Sequence, residues 1–274
     1  MTKKPFFSII IPALNEEKYL PLLLDDLSKQ TFQNFEVIVV DGKSEDKTVE
    51  LAKNFTNMLP KLTMITSKKR HVCTQRNLGA KKATSDILVF SDADNRVDPS
   101  FLLGLKYRWE TSNVDILSTW TKSDVQNPQN KAISSAINVF LELQSNINPY
   151  YLLEAMFAVS KKCFNKIGGF DESVMYSEGK TMIKQASNKG FKYKVVRDPV
   201  YTYSYRRFRQ NGTLKLISNV AKIEISSFLG LDKNNNRLSK YYPMLGGSVF
   251  VKSKKAKSKF LKNVSKLIKS FQEL

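Results

Sequence analysis

The sequence predicts an α/β domain with a mostly parallel central sheet, helices on both faces and a helical C-terminal tail. Three observations predict it. Short, near-continuous apolar runs rich in β-branched residues alternate with helix-period segments through residues 6–92, as strands buried on both faces require. These runs stop at Pro12, Asp41–Gly42 and Ser91–Asp92, the polar or conformationally special residues that terminate strands. Finally, 274 residues with 42% hydrophobic content suffice for one large buried core and exclude a disordered or fibrous chain.

Taken in order, Phe6–Ile11 reads as a buried strand ending at Pro12. Asn15 is expected to cap the next helix, with Glu16 and Glu17 in its first turn and Tyr19, Leu20, Leu23, Leu24 and Leu27 recurring at helical spacing. Phe35–Val40 is a second strand. Asp46 starts a helix through Val49, Leu51 and Ala52, and Leu62–Ile65 is a third, shorter strand. A basic loop, Lys68–His71, precedes a helix around Arg76–Ala83 and a fourth strand, Ile87–Phe90.

Beyond this, Asp98 and Pro99 suit the start of a helix through Phe101–Trp109. Ile116–Trp120 reads as a strand, Ala132–Leu143 as a helix and Ala155–Val159 as a strand. Gly168–Gly169 marks a turn, and Glu178–Asn188 a helix ended by Gly190. Lys192–Arg197 and Val200–Tyr205 read as a strand pair broken at Asp198–Pro199. Leu214–Leu229 is expected to be helical, and 232–236 a polar linker. The resulting division is a domain over 1–231, with parts at about 1–98 and 99–231, followed by a linker and tail over 232–274.

The net charge of +19 implies an anionic partner: phosphorylated ligands, an anionic membrane surface or nucleic acid. Basic residues mixed with aromatics at Tyr203–Gly212 can grip RNA, but no RNA-binding signature accompanies them, and no nucleic-acid partner is expected. One histidine, His71, excludes mechanisms that need two imidazoles, including most zinc hydrolases. Two scattered cysteines, Cys73 and Cys163, form neither a disulfide framework nor a zinc site and point to a reducing cytoplasm. No signal peptide is read at the N-terminus, where Pro12 and Asn15–Glu17 cut the first apolar run short. No stretch approaches the roughly 18 apolar residues that span a bilayer.

The tail is distinctive. Lys252 to Leu274 holds eight lysines and one acid. Phe260, Leu261, Val264, Leu267, Ile268 and Phe271 share one helical face, with lysines on the rest. That basic amphipathic pattern suits peripheral attachment at the cytoplasmic face of an anionic membrane, or docking on the domain itself.

Ligands of open α/β sheets bind beyond the carboxyl ends of the strands, where Asp41 and Asp92–Asp94 both fall. Asp92 and Asp94, one residue apart at a strand end, can face the same side. With phosphate oxygens they can hold octahedral Mg²⁺ or Mn²⁺. Isolated, such a pair reads as a turn. Here it is the last of four segments in a fixed order: Phe7–Glu17, Val39–Thr48, Arg76–Ala80 and Phe90–Asn95.

That series resembles the family-two inverting glycosyltransferases, which have the A-type nucleotide-diphospho-sugar transferase fold. Gly168–Glu172 and Ser177–Glu178 extend the resemblance over about residues 6–210. It implies a nucleotide-diphosphate sugar donor, a saccharide or lipid-linked acceptor, and Mg²⁺ or Mn²⁺. Pro12, Leu14 and Glu16 would line the base and ribose, and Asp41 would accept hydrogen bonds from the base. Arg76 would approach the diphosphate, Asp94 would bind the metal, and Asp92 would stand near the ribose or metal. Arg206, Arg207 and Arg209 suit a diphosphate, which guanidinium forks match.

Two departures stand out. The family's usual Asp-Asp-Gly-Ser is Asp41–Gly42–Lys43–Ser44 here. Its usual Glu-Asp, whose aspartate is the general base, is Glu178–Gly179. Glu178 is therefore the first candidate for the base, with Asp171 and Glu172 as alternatives. Two other readings stay open: a nucleotide-sugar-binding protein without transferase activity, and a nucleotidyltransferase. The latter needs a glycine-rich, arginine-bearing loop after the first strand, which Pro12–Glu17 does not provide.

Overall fold

The computed structural model describes residues 4–147, 149, 151–174, 178–206 and 209. One seven-stranded sheet runs through them in the order β3-β2-β1-β4-β6-β5-β7. β1 (Phe7–Ala13), β2 (Phe35–Asp41), β3 (Leu62–Thr66) and β4 (Ile87–Ser91) are mutually parallel. β6 (Met156–Ser160) runs antiparallel to β4 and to β5 (Ile116–Ser123), and β7 (Tyr193–Tyr203) is parallel to β5. The expected mostly parallel sheet is present.

Two cores lie on the two faces, sorted by the period-2 alternation of strand side chains. Ile9, Ile11, Val37 and Val39 pack with Leu20, Leu23, Leu24 and Leu27 of α1 (Leu20–Ser28) and with Phe101, Leu102 and Leu105 of α4 (Phe101–Ser112). Ile10, Ile38 and Val40 pack on the other face against α3 (Val72–Lys82), α6 (Lys161–Ile167) and α7 (Glu178–Asn188). Contact with α3 is close at Gly79, where a Cβ would stand 2.4 Å from Ile10 Cγ2. α2 (Thr48–Lys53) and α5 (Pro128–Ile147) complete the elements. Among the described residues no helix is long and apolar enough to cross a membrane.

Several sequence expectations change. β1 runs through Pro12 to Ala13 because β4 pairs only with Ser8–Ile10, so Pro12 lies where β1 has a ladder partner on one side alone. Asn15 does not cap α1; it adopts φ 56 and its Oδ1 accepts from Glu45 N at 2.7 Å. The helix starts at Leu20, which leaves Glu16 and Glu17 ahead of it. The expected pair Lys192–Arg197 and Val200–Tyr205 is one strand, β7, which passes Asp198–Pro199 with a register shift opposite Thr119–Thr121. α6 was not expected; Ser160 Oγ accepts from Cys163 N at 3.1 Å to cap it, and Gly168 at φ 87 ends it. The Leu214–Leu229 helix, the 232–236 linker and the tail lie outside the described residues.

Candidate active site

The parallel strands β1, β2 and β4 bring Ala13, Asp41 and Ser91 to one edge of the sheet. Gln75, in α3, ties this edge together: its Nε2 donates to Ala13 O at 2.9 Å and Val40 O at 2.7 Å. Asp41 shapes the loop that follows it, accepting from Lys43 N at 2.9 Å, Ser44 N at 3.1 Å and Ser44 Oγ at 2.5 Å. Its turn role is thus visible in the geometry. Pro12 and Leu14 are buried beside it.

Just past β4, Ala93 and Asn95 are buried while Asp92 and Asp94 are part-exposed. That alternation turns both carboxylates to one side, as their spacing predicts. Asn95 anchors the segment by donating to Ala155 O at 2.6 Å, and Asp92 N donates to the same carbonyl at 2.8 Å.

Two arginines, Arg76 buried and Arg206 part-buried, organise the carboxylates. Arg76 donates from Nη1 to Glu178 Oε1 at 2.6 Å, and from Nη2 to Asp92 Oδ1 at 3.0 Å and Glu154 O at 3.1 Å. Its guanidinium also stands 5.2 Å from the Phe170 ring centroid. Burial works against its charge, but Glu178 and Asp92 outweigh it and hold the group protonated. Arg76, expected at the diphosphate, is only 2% exposed, and it fastens the site's carboxylates from beneath.

Arg206 forms the second node. It donates to Glu16 Oε1 at 2.6 Å and Oε2 at 2.8 Å, while its Nε lies 2.8 Å from Asp94 Oδ2. The Tyr19 ring centroid lies 4.7 Å from it. Burial raises the Glu16 carboxyl to about 7, with Arg206 pulling down and Asp94 and Asp92 adding to the rise.

Glu154, just ahead of β6, is the acid that sequence reasoning missed. Its Oε1 accepts from Gly179 N at 2.7 Å. Burial, then the Glu178 charge, raises its carboxyl well above the ordinary range. No spacing pattern in the sequence marks it; it reaches the site because β6 lies antiparallel to β4.

The remaining candidates fall elsewhere. Asp171 turns back on Ser173, accepting from its N at 2.9 Å and Oγ at 2.6 Å. Glu172 accepts from Thr74 Oγ1 at 2.7 Å and Asn77 Nδ2 at 3.3 Å. Both are exposed, with carboxyls held below the ordinary range chiefly by Ser173 and Thr74 respectively. Arg209, expected at the diphosphate, pairs with both oxygens of Asp124 at 2.8 Å. Arg207 lies outside the described residues.

Among the described residues no three His, Cys, Asp or Glu side chains stand together as a metal cage. Asp92 and Asp94 nevertheless supply hard carboxylate oxygens on one side of the strand end. That donor set fits Mg²⁺ or Mn²⁺ of the kind completed by substrate phosphates and water.

With fold and site in view, the chain belongs to Glycosyl transferase family 2, whose pattern its residues 8–198 match. It is 28% identical over 191 residues to a Methanococcus voltae dolichyl N-acetyl-alpha-D-glucosaminyl phosphate 3-beta-D-2,3-diacetamido-2,3-dideoxy-beta-D-glucuronosyltransferase. That match covers 66% of this chain and 55% of the relative, so the chain spans about half the relative's length. Two solved structures share the fold. Staphylococcus aureus TarS 1–349 in complex with UDP-GlcNAc has a TM-score of 0.60 and 24% identity, covering 73% of this chain and 58% of that one. The Pyrobaculum calidifontis mannosyltransferase PcManGT with GDP-Man and Mn²⁺ has a TM-score of 0.65 and 19% identity, covering 89% and 69%.

Proposed function

We propose that the protein is an inverting glycosyltransferase that moves a sugar from a nucleotide-diphosphate donor to an acceptor hydroxyl. The observation that carries this reading is the convergence of the Glu16, Asp92, Asp94 and Glu178 carboxylates, with the Glu154 carbonyl, on Arg76 and Arg206 beyond the carboxyl ends of β1 and β4. Such a mouth suits a polar, phosphorylated ligand. The relatives bound to UDP-GlcNAc and GDP-Man support a donor of this class.

Pro12, Leu14 and Asp41 would flank the base and ribose. Asp94 and Asp92 would hold Mg²⁺ or Mn²⁺, which when bound supplies positive charge against the diphosphate. Arg206, 2.8 Å from Asp94, would set its positive charge against the negative charge developing on the departing nucleoside diphosphate. A carboxylate on the acceptor side takes the hydroxyl proton. Of the three acids first considered for this, only Glu178 enters the cluster, and Arg76 binds it there. A catalytic unit over 1–231 with its donor part at about 1–98, and a saccharide or lipid-linked acceptor, complete the proposal.

The second reading, a nucleotide-sugar binder without turnover, draws on Gly179, where no side chain enters the site. Thermal-shift titration with UDP- and GDP-sugars distinguishes donor binding from none. Stabilisation in Mn²⁺ that is lost in EDTA and in Asp94→Ala is expected; undiminished stabilisation in both removes the metal role.

We also propose peripheral attachment to the cytoplasmic face of an anionic membrane through the eight lysines of 252–274, each contributing about 1 kcal/mol near the surface. Sedimentation with phosphatidylserine vesicles should fall when those lysines are replaced by glutamine. Unchanged sedimentation excludes the attachment.

A further inference from the structure

Position 179 has no side chain, and the space a side chain would fill is taken. A Cβ at Gly179 would stand 2.7 Å from Glu154 Oε1, 2.8 Å from Glu154 Cγ and 2.8 Å from Leu152 O. Any other residue there must displace both Glu154 and the Leu152 carbonyl, so the glycine leaves room for this carboxylate. Gly179 also holds it, since its N–H donates to Glu154 Oε1 at 2.7 Å. That N–H belongs to the first turn of α7, where helix amides have no partner of their own and the helix end favours negative charge.

The same acid is fixed from the other side. Glu154 O accepts from Arg76 Nη2, which also binds Asp92, and the next carbonyl, Ala155 O, accepts from Asp92 N at 2.8 Å. Glu154 is therefore built into the strand end that carries Asp92 and Asp94, and it is part-exposed there. Glu178 by contrast is 8% exposed, with Oε1 on Arg76 at 2.6 Å. Asp171 and Glu172 are exposed and held by Ser173 and by Thr74 and Asn77.

We infer that Glu154 is the general base of the transfer and that Glu178 is a positioning residue that holds Arg76. This rests on the transferase reading above. In the step, the acceptor hydroxyl gives its proton to the Glu154 carboxylate while its oxygen bonds to the anomeric carbon. The bond from that carbon to the diphosphate oxygen breaks, and the nucleoside diphosphate leaves with the electron pair. A hydrogen bond from Gly179 N–H fixes one oxygen of the carboxylate, which aims the group without neutralising it.

Relocating the carboxylate tests the inference. Transfer is assayed with wild type, Glu154→Gln, Glu154→Ala and the double variant Glu154→Ala/Gly179→Asp. Binding of UDP and GDP with Mn²⁺ and the thermal midpoint are measured on each. Glu154→Gln should bind nucleotide as wild type does and lose transfer by about a hundredfold or more. The double variant, whose aspartate enters the space left by Glu154 once the Leu152 carbonyl gives way, should recover about tenfold or more over Glu154→Ala. Recovery in the double variant supports the assignment, and near-wild-type transfer by Glu154→Gln overturns it. If wild type turns over no nucleotide sugar, the transferase reading falls and this assignment falls with it; an active wild type and an equally active Glu154→Gln sink the assignment alone.

Discussion

Arg206 grips Glu16 through two hydrogen bonds, Nη2 to Oε1 at 2.6 Å and Nη1 to Oε2 at 2.8 Å, across 190 residues of sequence. Side-chain exposures of 12% and 5% make this a largely dry pair, and Asp94 shares the same guanidinium. Removing one member of such a pair strands the other charge. Arg206→Ala should therefore destabilise the protein by about 3 kcal/mol. Adding Glu16→Gln should recover part of the loss, because the stranded carboxylate is then gone. Urea unfolding of the wild type, single and double variants reads both effects. A loss under about 0.5 kcal/mol would place Arg206 among surface ion pairs instead.

Glu36 sets an acid limit at the opposite end of the sheet. It is 1% exposed, and its carboxylate accepts from Ser8 Oγ, Lys61 Nζ, Thr84 N and Thr84 Oγ1 at 2.6–2.7 Å. Burial alone pushes the carboxyl up, but these donors outweigh it and hold the group at about 2, against an ordinary 4.5. The folded value is the lower one, so its stabilising contribution is complete above about 4.5 and is lost as pH falls toward 2. Thermal midpoints between pH 6 and 2.5 should fall less steeply in Glu36→Gln than in wild type. Parallel curves would contradict this.

Gly79 sits in the middle of α3, where Gly→Ala ordinarily stabilises by about 1 kcal/mol. Contact with Ile10 Cγ2 at 2.4 Å from the position of a Cβ reverses that expectation. Overpacking of this kind costs about 1–3 kcal/mol, so Gly79→Ala should lower the urea midpoint. A rise would mean that α3 can back away from β1.

These relationships differ in how far the sequence reveals them. The strands β1 to β4 and the helices between them follow from short-range apolar patterns, and Asp92 and Asp94 follow from a strand ending. Family resemblance drew attention to Glu16, Arg76, Glu178 and Arg206, but not to their pairings. Arg76 reads as a ligand contact until the structure shows Glu178 and Asp92 around it. Glu154 has no local signature, because its place depends on β6 returning antiparallel beside β4 after α5. The unbroken β7 was hidden by Asp198–Pro199, which reads as a break when only local preference is considered.

Nucleoside diphosphate release from a panel of UDP- and GDP-sugars, with Mn²⁺ and a set of saccharide and lipid-linked acceptors, tests the central claim most directly. Acceptor-dependent release is predicted for at least one donor, lost in Asp94→Ala, with the new glycosidic bond inverted relative to the donor. Tight, Mn²⁺-dependent donor binding with no release under any acceptor, or a product that retains the donor's configuration, would contradict it.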